Sequence, residues 1–444
     1  MLKRPILLPL LVLIISIIAI DICLPPFFIR DHYVKHLNES LHFKYLILDD
    51  GKETPKNYGY NAKVIAYYDY ENRIWKSTRG KIKLYIPKRG LPNGGLFPTN
   101  NFTKNDSVDN PRFHYGDVLV SSDKLLPIVN FDSSFNYERY MKHQRIYHQV
   151  FVHSFRIIET NKGNFFVRIA KKNNYALQNR ILYSGMKDDQ AHLAIAMLLG
   201  DKHELNPEVR SWFNVSGLAH ILCVSGLHIM MIVLSISFLL KILLPKTIQG
   251  VYIRNFISIL SCWIIAFIVG LTPSALRVAT MLTLLIITKF TPFSNDKLNI
   301  LLVTAFVFLC IEPMLLFNIS FQLSFLAVLG IILTQRFFNN FLIYITKTKN
   351  KYLKAVFSNV ATTTSAQLLT FPIIVINFHR FPIFAILTNL LVVPCMQVIL
   401  ISLIVLLILV DIPLIGDVIA WICNTEMTIL MAIAKGTDYL TMLF

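Results

Sequence analysis

Charged residues are scarce in this chain. Asp, Glu, Lys and Arg make up 16% of the 444 residues, whereas a soluble globular chain carries roughly 25%. The apolar share is 54% and the mean hydropathy is +0.54. These values exclude an ordinary soluble enzyme and a disordered chain, and they indicate a membrane protein with one soluble part.

Cysteine is confined to the apolar stretches, and no two cysteines form a C-x-x-C pair. The polar block, residues 30–190, has no cysteine, so a disulfide framework does not hold it together. The chain also lacks an H-E-x-x-H zinc motif and a Walker-type G-x-x-x-x-G-K-[ST] loop. We therefore expect no metal, no cofactor and no ATP site of this type.

Three segments follow from the composition. Residues 1–29 have a basic start and an apolar run ended by Pro25 and Pro26, which predicts a membrane anchor helix. A cleaved signal peptide is the alternative, but no A-x-A site follows the run. Residues 30–190 carry 26 basic and 16 acidic side chains, and residues 191–444 are mainly apolar. The fold class is thus an α-helical polytopic membrane protein with an extracytoplasmic all-β domain.

Short alternating segments, rich in aromatic and β-branched residues, fill the polar block. They predict a small antiparallel barrel or sandwich, with strands near 43–48, 61–67, 81–86 and 116–120. Residues 134–150 resemble an exposed amphipathic helix, and 164–170 a further strand.

The last segment predicts eight spans besides the anchor, each near the roughly 20 residues needed to cross a bilayer. They are 218–244, 255–271, 275–291, 299–317, 320–343, 355–377, 382–409 and 413–434. Basic residues gather at alternate span ends, which predicts a cytoplasmic N-terminus and an external polar block. The pair of helical stretches at 190–213 is too short and too polar to span.

Two Ser-Gly pairs and two histidines stand together inside apolar sequence, at residues 215–229. Polar groups in lipid are costly unless satisfied, so His220, Ser225 and His228 are candidates for lining or shaping a cavity. Close helix packing by the Ser-Gly pairs is the structural alternative. An intramembrane serine hydrolase using Ser225 is a further alternative, although the G-x-S-G pattern is missing because Cys223 replaces its first glycine.

Three more polar residues complete this candidate set. Arg277 lies one turn into a span, where it either faces a channel and holds phosphate or reaches the outer surface. Gln322 lies in a predicted span, where it either faces a cavity or hydrogen-bonds a neighbouring helix. Asp201 follows a short helix that ends at Gly200, and it is either an exposed acid at a helix end or an acid at the mouth of the cavity. Three prolines, Pro372, Pro382 and Pro394, predict broken helices around a cavity.

Aromatic residues alternate with cations in the polar block, a composition that suits stacking on bases and contact with phosphates. Strand aromatics in a small barrel are more often core residues, so this signal is weak. The DNA-binding candidates are Tyr67, Tyr68, Trp75, Lys76, Arg79 and Lys81.

The polar clusters of residues 191–444, taken in their order along the chain, resemble the ComEC family of bacterial competence proteins. The string His-(x4)-Ser-Gly-Leu-His and the string Gln-Leu-Ser-Phe are its most specific parts. The matching positions are 199–201, 217–228, 276–281, Pro313, 321–328, Gln367, Pro372, Asn389 and Pro394. Residues 116–119 and 135–141 are similar to the end of the family's N-terminal OB-fold domain.

The resemblance implies an inner-membrane channel for single-stranded DNA in natural transformation, and no enzyme activity in this chain. It implies a periplasmic DNA receptor and a cytoplasmic helicase or ATPase as partners. The metallo-β-lactamase-like domain of many members is expected to be absent, so a separate nuclease would act in trans. Cys223 and Val278 depart from the family's usual alanines. The alternative function is transport of another anionic polymer or solute.

Overall fold

The structure is a computed structural model that describes residues 31–37, 42–54, 56–88, 113–130, 136–288, 296–347, 350–378 and 385–442. The chain divides into two compact units. The β unit comprises the chain up to Arg168 together with Leu309–Asn318, and the membrane unit comprises Ile169–Phe308 and Ile319–Phe444. The predicted anchor, 1–29, lies outside the described residues.

The β unit is built on a nine-stranded sheet with the order β7-β8-β5-β3-β1-β6-β9, while β2 and β4 pair with β3. Its strands are β1 (Phe43–Ile47), β2 (Lys52–Glu53), β3 (Asn57–Asp69), β4 (Ile74–Ser77), β5 (Lys81–Pro87), β6 (Val118–Ser121), β7 (Leu126–Pro127), β8 (Ile146–Phe151) and β9 (Arg156–Glu159). All pairs are antiparallel except β5 with β8. The four predicted strands are confirmed.

Alternation along the strands explains the core of this unit. In β1 the side chains of Phe43, Tyr45 and Ile47 are buried and those between them are half-buried, as the period of two requires. One cation is also buried: Lys83 Nζ donates to Asn61 Oδ1 at 3.0 Å, and Asn61 Nδ2 donates to Asp49 at 2.7 Å. Burial lowers the pKa of Lys83.

The described chain also contains twelve α-helices, most of them in the membrane unit. They are α1 (Tyr137–Lys142), α2 (Phe165–Leu182), α3 (Asp188–Leu199), α4 (Pro207–Val215), α5 (Gly226–Leu243), α6 (Ile248–Ile268), α7 (Pro273–Ile287), α8 (Lys297–Ile311), α9 (Ile319–Thr346), α10 (Lys351–Phe378), α11 (Ala385–Leu409) and α12 (Ile415–Met442). Two predictions are wrong here. Residues 164–170 begin helix α2, and the predicted helix over 134–150 is only α1, followed by strand β8.

Six helices of the described chain are long and apolar enough to cross a membrane: α5, α6, α9, α10, α11 and α12. Helices α7 and α8 are apolar but have only 15 residues each. The eight predicted spans therefore correspond to eight apolar helices. Close packing helps to fix them, since a Cβ on Gly330 of α9 would lie 2.2 Å from the Ser365 carbonyl oxygen of α10.

The prolines do not break these helices where the structure describes them. Pro372 lies inside α10 and Pro394 inside α11, and both helices continue through the proline. Neighbouring helices can supply partners for the freed backbone groups, so a proline within a span is tolerated. Pro382 lies outside the described residues. The prediction of broken helices is therefore wrong for Pro372 and Pro394.

The short helix α3 packs into a hydrophobic cluster of the membrane unit. Residues 193–199 are all buried, and they belong to a cluster that includes Leu400 and Leu403 of α11 and Met427 of α12. Gly200 ends α3 with a positive φ of 84°. Because residues 193–199 are apolar and buried, this part of α3 lies in the interior of the membrane unit.

Candidate functional site

The Ser-Gly segment, residues 216–225, is a non-helical turn between α4 and α5. Gly217 has a φ of 77°, which a residue with a Cβ adopts only with strain. Leu218, Ile221 and Leu222 anchor the turn in the core, and His220 is exposed with Nδ1 3.2 Å from the Gly217 carbonyl oxygen. Helix α5 thus begins at Gly226, eight residues after the predicted start of this span, because Ser225 caps the helix.

Ser225 and His228 form a reciprocal cap at the start of α5. The Ser225 hydroxyl accepts from the His228 N–H at 3.4 Å, and His228 Nδ1 accepts from the Ser225 N–H at 3.5 Å. His228 is 1% exposed and also hydrogen-bonds the backbone of Met197 in α3. A neutral imidazole whose Nδ1 accepts carries its proton on Nε2. Both side chains therefore shape this turn, and the arrangement is a helix cap without the geometry of a serine nucleophile and its base.

The start of α7 packs directly on this turn. Ser274 Oγ donates to the Val224 carbonyl oxygen at 3.1 Å. A Cβ on Gly226 would lie 2.5 Å from Cγ2 of Val278, so the two helices approach closely because position 226 has no side chain. The Ser-Gly segment and the arginine cluster, 50 residues apart in sequence, are thus neighbours.

Arg277 is the buried charge of this region. It is 4% exposed on α7, its guanidinium donates to the Ser320 carbonyl oxygen at 3.2 Å, and it lies 5.9 Å from the centre of the Phe321 ring. Its Nε has no hydrogen-bond partner, and no carboxylate within the described residues forms an ion pair with it. A buried cation without a counter-ion is costly, and its free donor suits an anionic ligand. Gln322 lies two residues after Ser320 on α9 and is half-buried.

Asp201 belongs to a hydrogen-bond network that joins three helices. It accepts from Gln178 Nε2 at 3.1 Å, and Gln178 Nε2 donates to Asn174 Oδ1 at 2.7 Å. Asn174 Nδ2 in turn donates to the carbonyl oxygens of Leu199 at 3.2 Å and of Ile268 at 2.9 Å. Asn174 on α2 therefore satisfies the C-terminal carbonyls of α3 and α6, and Gln178 links Asn174 to Asp201. Asp201 therefore helps to hold together the ends of α3 and α6 and the side of α2, through its hydrogen bond with Gln178.

Helix α11 also reaches the Ser-Gly segment. Thr388 Oγ1 donates to the Ser216 carbonyl oxygen at 2.8 Å. The next residue, Asn389, is 8% exposed and its Oδ1 has no hydrogen-bond partner among the described residues. The turn that holds Ser225 and His228 thus contacts α3, α7 and α11, and Arg277 of α7 contacts α9. Sequence reasoning missed Asn174, Gln178 and Thr388, since their partners are distant in sequence.

An aromatic face is exposed on the β unit. Trp75 on β4 is 37% exposed and packs edge-on against Tyr68 on β3, with ring centres 5.3 Å apart. Tyr70 lies 5.2 Å from Tyr68, and His42 contacts both tyrosines. Lys44 Nζ lies 4.3 Å from the centre of the Trp75 ring. We call these five residues the aromatic face. His42, Lys44 and Tyr70 were not predicted, because only strand pairing brings them to Trp75.

Tyr67 is not part of this face. It is 6% exposed and stacks on His36 at 4.0 Å between ring centres, on the core side of β3. Successive strand residues point to opposite sides of a sheet, so Tyr67 and Tyr68 cannot both face solvent. The prediction of Tyr67 as a DNA contact is therefore corrected to a core role.

The three predicted cations of the β unit differ in their neighbours. Lys76 forms an ion pair with Asp69, and its ammonium holds the pKa of that carboxyl well below the usual range. Lys81 Nζ lies 3.3 Å from Glu312, in the segment of the β unit that joins α8 and α9. Arg79 is exposed. Two of the three charges are thus partly balanced by carboxylates.

Six apolar helices long enough to cross a bilayer, in one chain with a β unit, define a multi-pass membrane protein. A family model described as "Competence protein" matches residues 197–442. This match covers more than half of the chain, and the chain therefore belongs to the competence protein family. The predicted family is confirmed.

Two curated relatives are similar to this chain. ComE operon protein 3 of Bacillus subtilis (strain 168) is 26% identical over 263 residues, which are 59% of this chain and 31% of that protein. An uncharacterized protein of Aquifex aeolicus (strain VF5) is 32% identical over 155 residues, 34% of this chain and 36% of that protein. The chain thus matches about a third of the length of each relative. No solved structure matches it.

Proposed function

We propose that this protein takes part in DNA uptake for competence, as an inner-membrane channel that carries single-stranded DNA into the cytoplasm. The observation that carries the proposal is Arg277: a buried guanidinium, without a counter-ion in the described chain, in the region with the family match. A DNA strand brings one phosphate per nucleotide, and guanidinium binds phosphate through paired hydrogen bonds. No covalent step is needed, so the proposed role is transport and not catalysis.

The β unit is proposed to receive the strand. Its central order β8-β5-β3-β1-β6, with one parallel pair, supports an OB-type domain, a fold that binds oligonucleotides. The aromatic face offers Trp75, Tyr68 and Tyr70 for base stacking and Lys44 for phosphate. Stacking on aromatic rings is tolerant of sequence, as uptake of arbitrary DNA requires.

The membrane unit is proposed to form the path. His220 is exposed within the capped turn, and Arg277 and Gln322 follow on α7 and α9. Ser225 and His228 hold the turn in place through their hydrogen bonds, and Asp201 belongs to the hydrogen-bond network that joins α2, α3 and α6. We place the β unit outside the inner membrane and the N-terminus in the cytoplasm, since basic residues gather at alternate helix ends. A periplasmic DNA receptor, a cytoplasmic helicase or ATPase, and a separate nuclease are the proposed partners.

The test follows labelled DNA in cells that lack this protein and in cells that have it restored. Label protected in the cytoplasm is scored separately from label outside the inner membrane. We expect entry only on restoration, and we expect Arg277→Gln to lower entry at least tenfold with normal protein in the membrane. Lys246→Gln removes an exposed cation between α5 and α6 and is the matched control.

Unchanged entry in cells without the protein contradicts DNA transport. Transport of another anionic polymer or solute then becomes the better proposal, since a buried arginine serves any anion. A serine-directed probe that labels the protein but not Ser225→Ala would favour hydrolysis.

A further inference from the structure

A cavity of about 400 Å³ lies between α8 and α9 of the membrane unit. Lys297 from the first turn of α8 lines one side, and the other side is formed by Ile331, Ile332, Gln335, Arg336 and Asn339 of α9. Gln335 is held in place by α10, since its Nε2 donates to Thr362 Oγ1 at 2.9 Å. None of these residues belongs to the path proposed above.

The cavity is basic. Lys297 and Arg336 both line it, and neither forms an ion pair with a carboxylate in the part of the chain that the structure describes. Two cations beside one cavity repel each other, and an anion between them removes this repulsion. The charge of the cavity therefore favours a phosphate group.

The side chain of Asn339 requires a hydrogen-bond donor on the ligand in addition to the phosphate. Its Oδ1 is buried and has no hydrogen-bond partner among the described residues. A buried acceptor without a hydrogen-bond partner destabilises the folded protein by about 1–3 kcal/mol. A hydroxyl donor on the ligand would satisfy this acceptor. A ligand that fits therefore carries a phosphate and a hydroxyl group. Ile331 and Ile332 add an apolar side, which suits an acyl chain.

Helix lengths place the cavity near one boundary of the bilayer. Helix α8 has 15 residues and is about 22 Å long, whereas the hydrocarbon core is about 30 Å thick. Arg336 lies 17 residues after the start of α9, about 26 Å along that helix. The segment Pro313–Phe317 joins the other ends of the two helices. The two cations thus lie close to the level of lipid headgroups.

We propose that this cavity binds the phosphoglycerol headgroup of an anionic phospholipid. Lys297 and Arg336 bind the phosphate, and the glycerol hydroxyl donates to Asn339 Oδ1. Basic pockets between transmembrane helices are suited to anionic headgroups. A short helix such as α8 leaves a gap at one membrane surface, and the bound lipid fills it.

The experiment uses the purified full chain in a neutral detergent and native mass spectrometry. Phosphatidylglycerol, phosphatidic acid and phosphatidylcholine are added separately at equal concentrations. We expect phosphatidylglycerol to be retained best. The double variant Lys297→Ala/Arg336→Ala should weaken its retention by about tenfold or more, since each cation near a lipid surface contributes to binding.

Two further variants separate charge from fit. Lys351→Ala/Lys354→Ala removes two exposed cations at the start of α10 that do not line the cavity, and it should leave retention unchanged. Asn339→Leu removes the acceptor and keeps both cations. It should lower the preference for phosphatidylglycerol over phosphatidic acid.

Three results overturn the proposal. One is equal retention of phosphatidylcholine and phosphatidylglycerol. A second is equal loss in the two double variants, which would show only a general effect of charge. A third is displacement of the lipid by a short oligothymidylate, which would assign the cavity to DNA. Each variant is first compared with the parent chain in thermal unfolding, so that misfolding is recognised.

Discussion

At the scale of single residues, the membrane unit relies on polar side chains that satisfy helix ends. Asn174 donates to two backbone carbonyls from different helices and accepts from Gln178. His228 and Ser225 satisfy each other's backbone N–H groups. Such bonds contribute little individually in a membrane protein, about 0.6 kcal/mol on average, but they determine which helix ends meet.

Asn174→Leu should lower the unfolding temperature of the full chain in detergent. The change removes both donors while a leucine of similar size remains, and we expect a loss of about 1–2 kcal/mol because two carbonyls lose their partner. Asn173→Leu makes the same change at an exposed neighbour on α2 and should have little effect. Equal shifts in both variants would contradict a specific role for Asn174.

His32 gives the β unit a dependence on pH. Burial, and to a smaller extent His148 and Lys35, lowers the pKa of His32 to about 4. The folded state therefore holds His32 neutral, whereas the unfolded chain binds a proton below about pH 6.5. The stabilisation is fully present above pH 6.5 and is lost as the pH falls towards 4, by up to about 3 kcal/mol.

Amide hydrogen exchange in the full chain can measure this loss. Peptides from strands β3 and β5 should lose protection between pH 6.5 and 4, after correction for the intrinsic exchange rate. His32→Asn keeps a side-chain acceptor for the Val34 N–H but cannot titrate, so its protection should change less with pH. His114→Asn changes an exposed histidine and should behave like the parent chain.

At the scale of elements, the contact between α5 and α7 depends on one glycine. Gly226 faces Val278, and Val278 is branched at Cβ and has few rotamers. The first turn of α5 and the arginine-bearing helix can therefore meet only if position 226 lacks a side chain. This contact sets the distance between the capped turn and Arg277.

Gly226→Ala should destabilise the full chain and lower DNA entry, because the added methyl group would overlap Cγ2 of Val278. The double variant Gly226→Ala/Val278→Ala restores space and should recover most of both losses. Gly436→Ala is the control, since a Cβ there meets nothing within 4 Å. Thermal unfolding in detergent and the DNA entry assay provide the measurements, and failure of the double variant to recover would contradict close packing as the cause.

At the scale of the whole molecule, the two units are proposed to do different work. In this proposal the β unit binds the strand by stacking and charge, and the membrane unit conducts it. Variants in the two units should therefore fail at different steps. This separation distinguishes DNA transport from transport of another anion, for which the aromatic face is not needed.

Tyr68→Ala/Trp75→Ala should weaken binding of a fluorescent oligothymidylate to the full chain by about tenfold or more, since stacking contributes about 1–3 kcal/mol per base. Arg277→Gln should leave this binding nearly unchanged and reduce entry into cells. Ile157→Ala/Ile158→Ala changes exposed apolar residues of β9, outside the aromatic face, and is the matched control. Unchanged binding in the aromatic variant would contradict this role of the β unit.

The sequence by itself determined the class of protein and the order of its parts. The period of two in strands and the long apolar runs depend only on neighbours along the chain, so four strands and eight apolar helices were predicted from them. The family followed from local strings such as Gln-Leu-Ser-Phe. The periodicity of the sequence did not predict the exact start of a helix such as α5, because a cap such as Ser225 acts through backbone geometry.

The tertiary structure alone decided which distant residues meet. Asn174 reaches Ile268, Ser274 reaches Val224, and Thr388 reaches Ser216. It also decided that Tyr67 lies in the core while Tyr68 and Trp75 are on the surface. These outcomes depend on strand register and helix packing, which are set by contacts between segments far apart in sequence. No periodicity within one segment records such a contact.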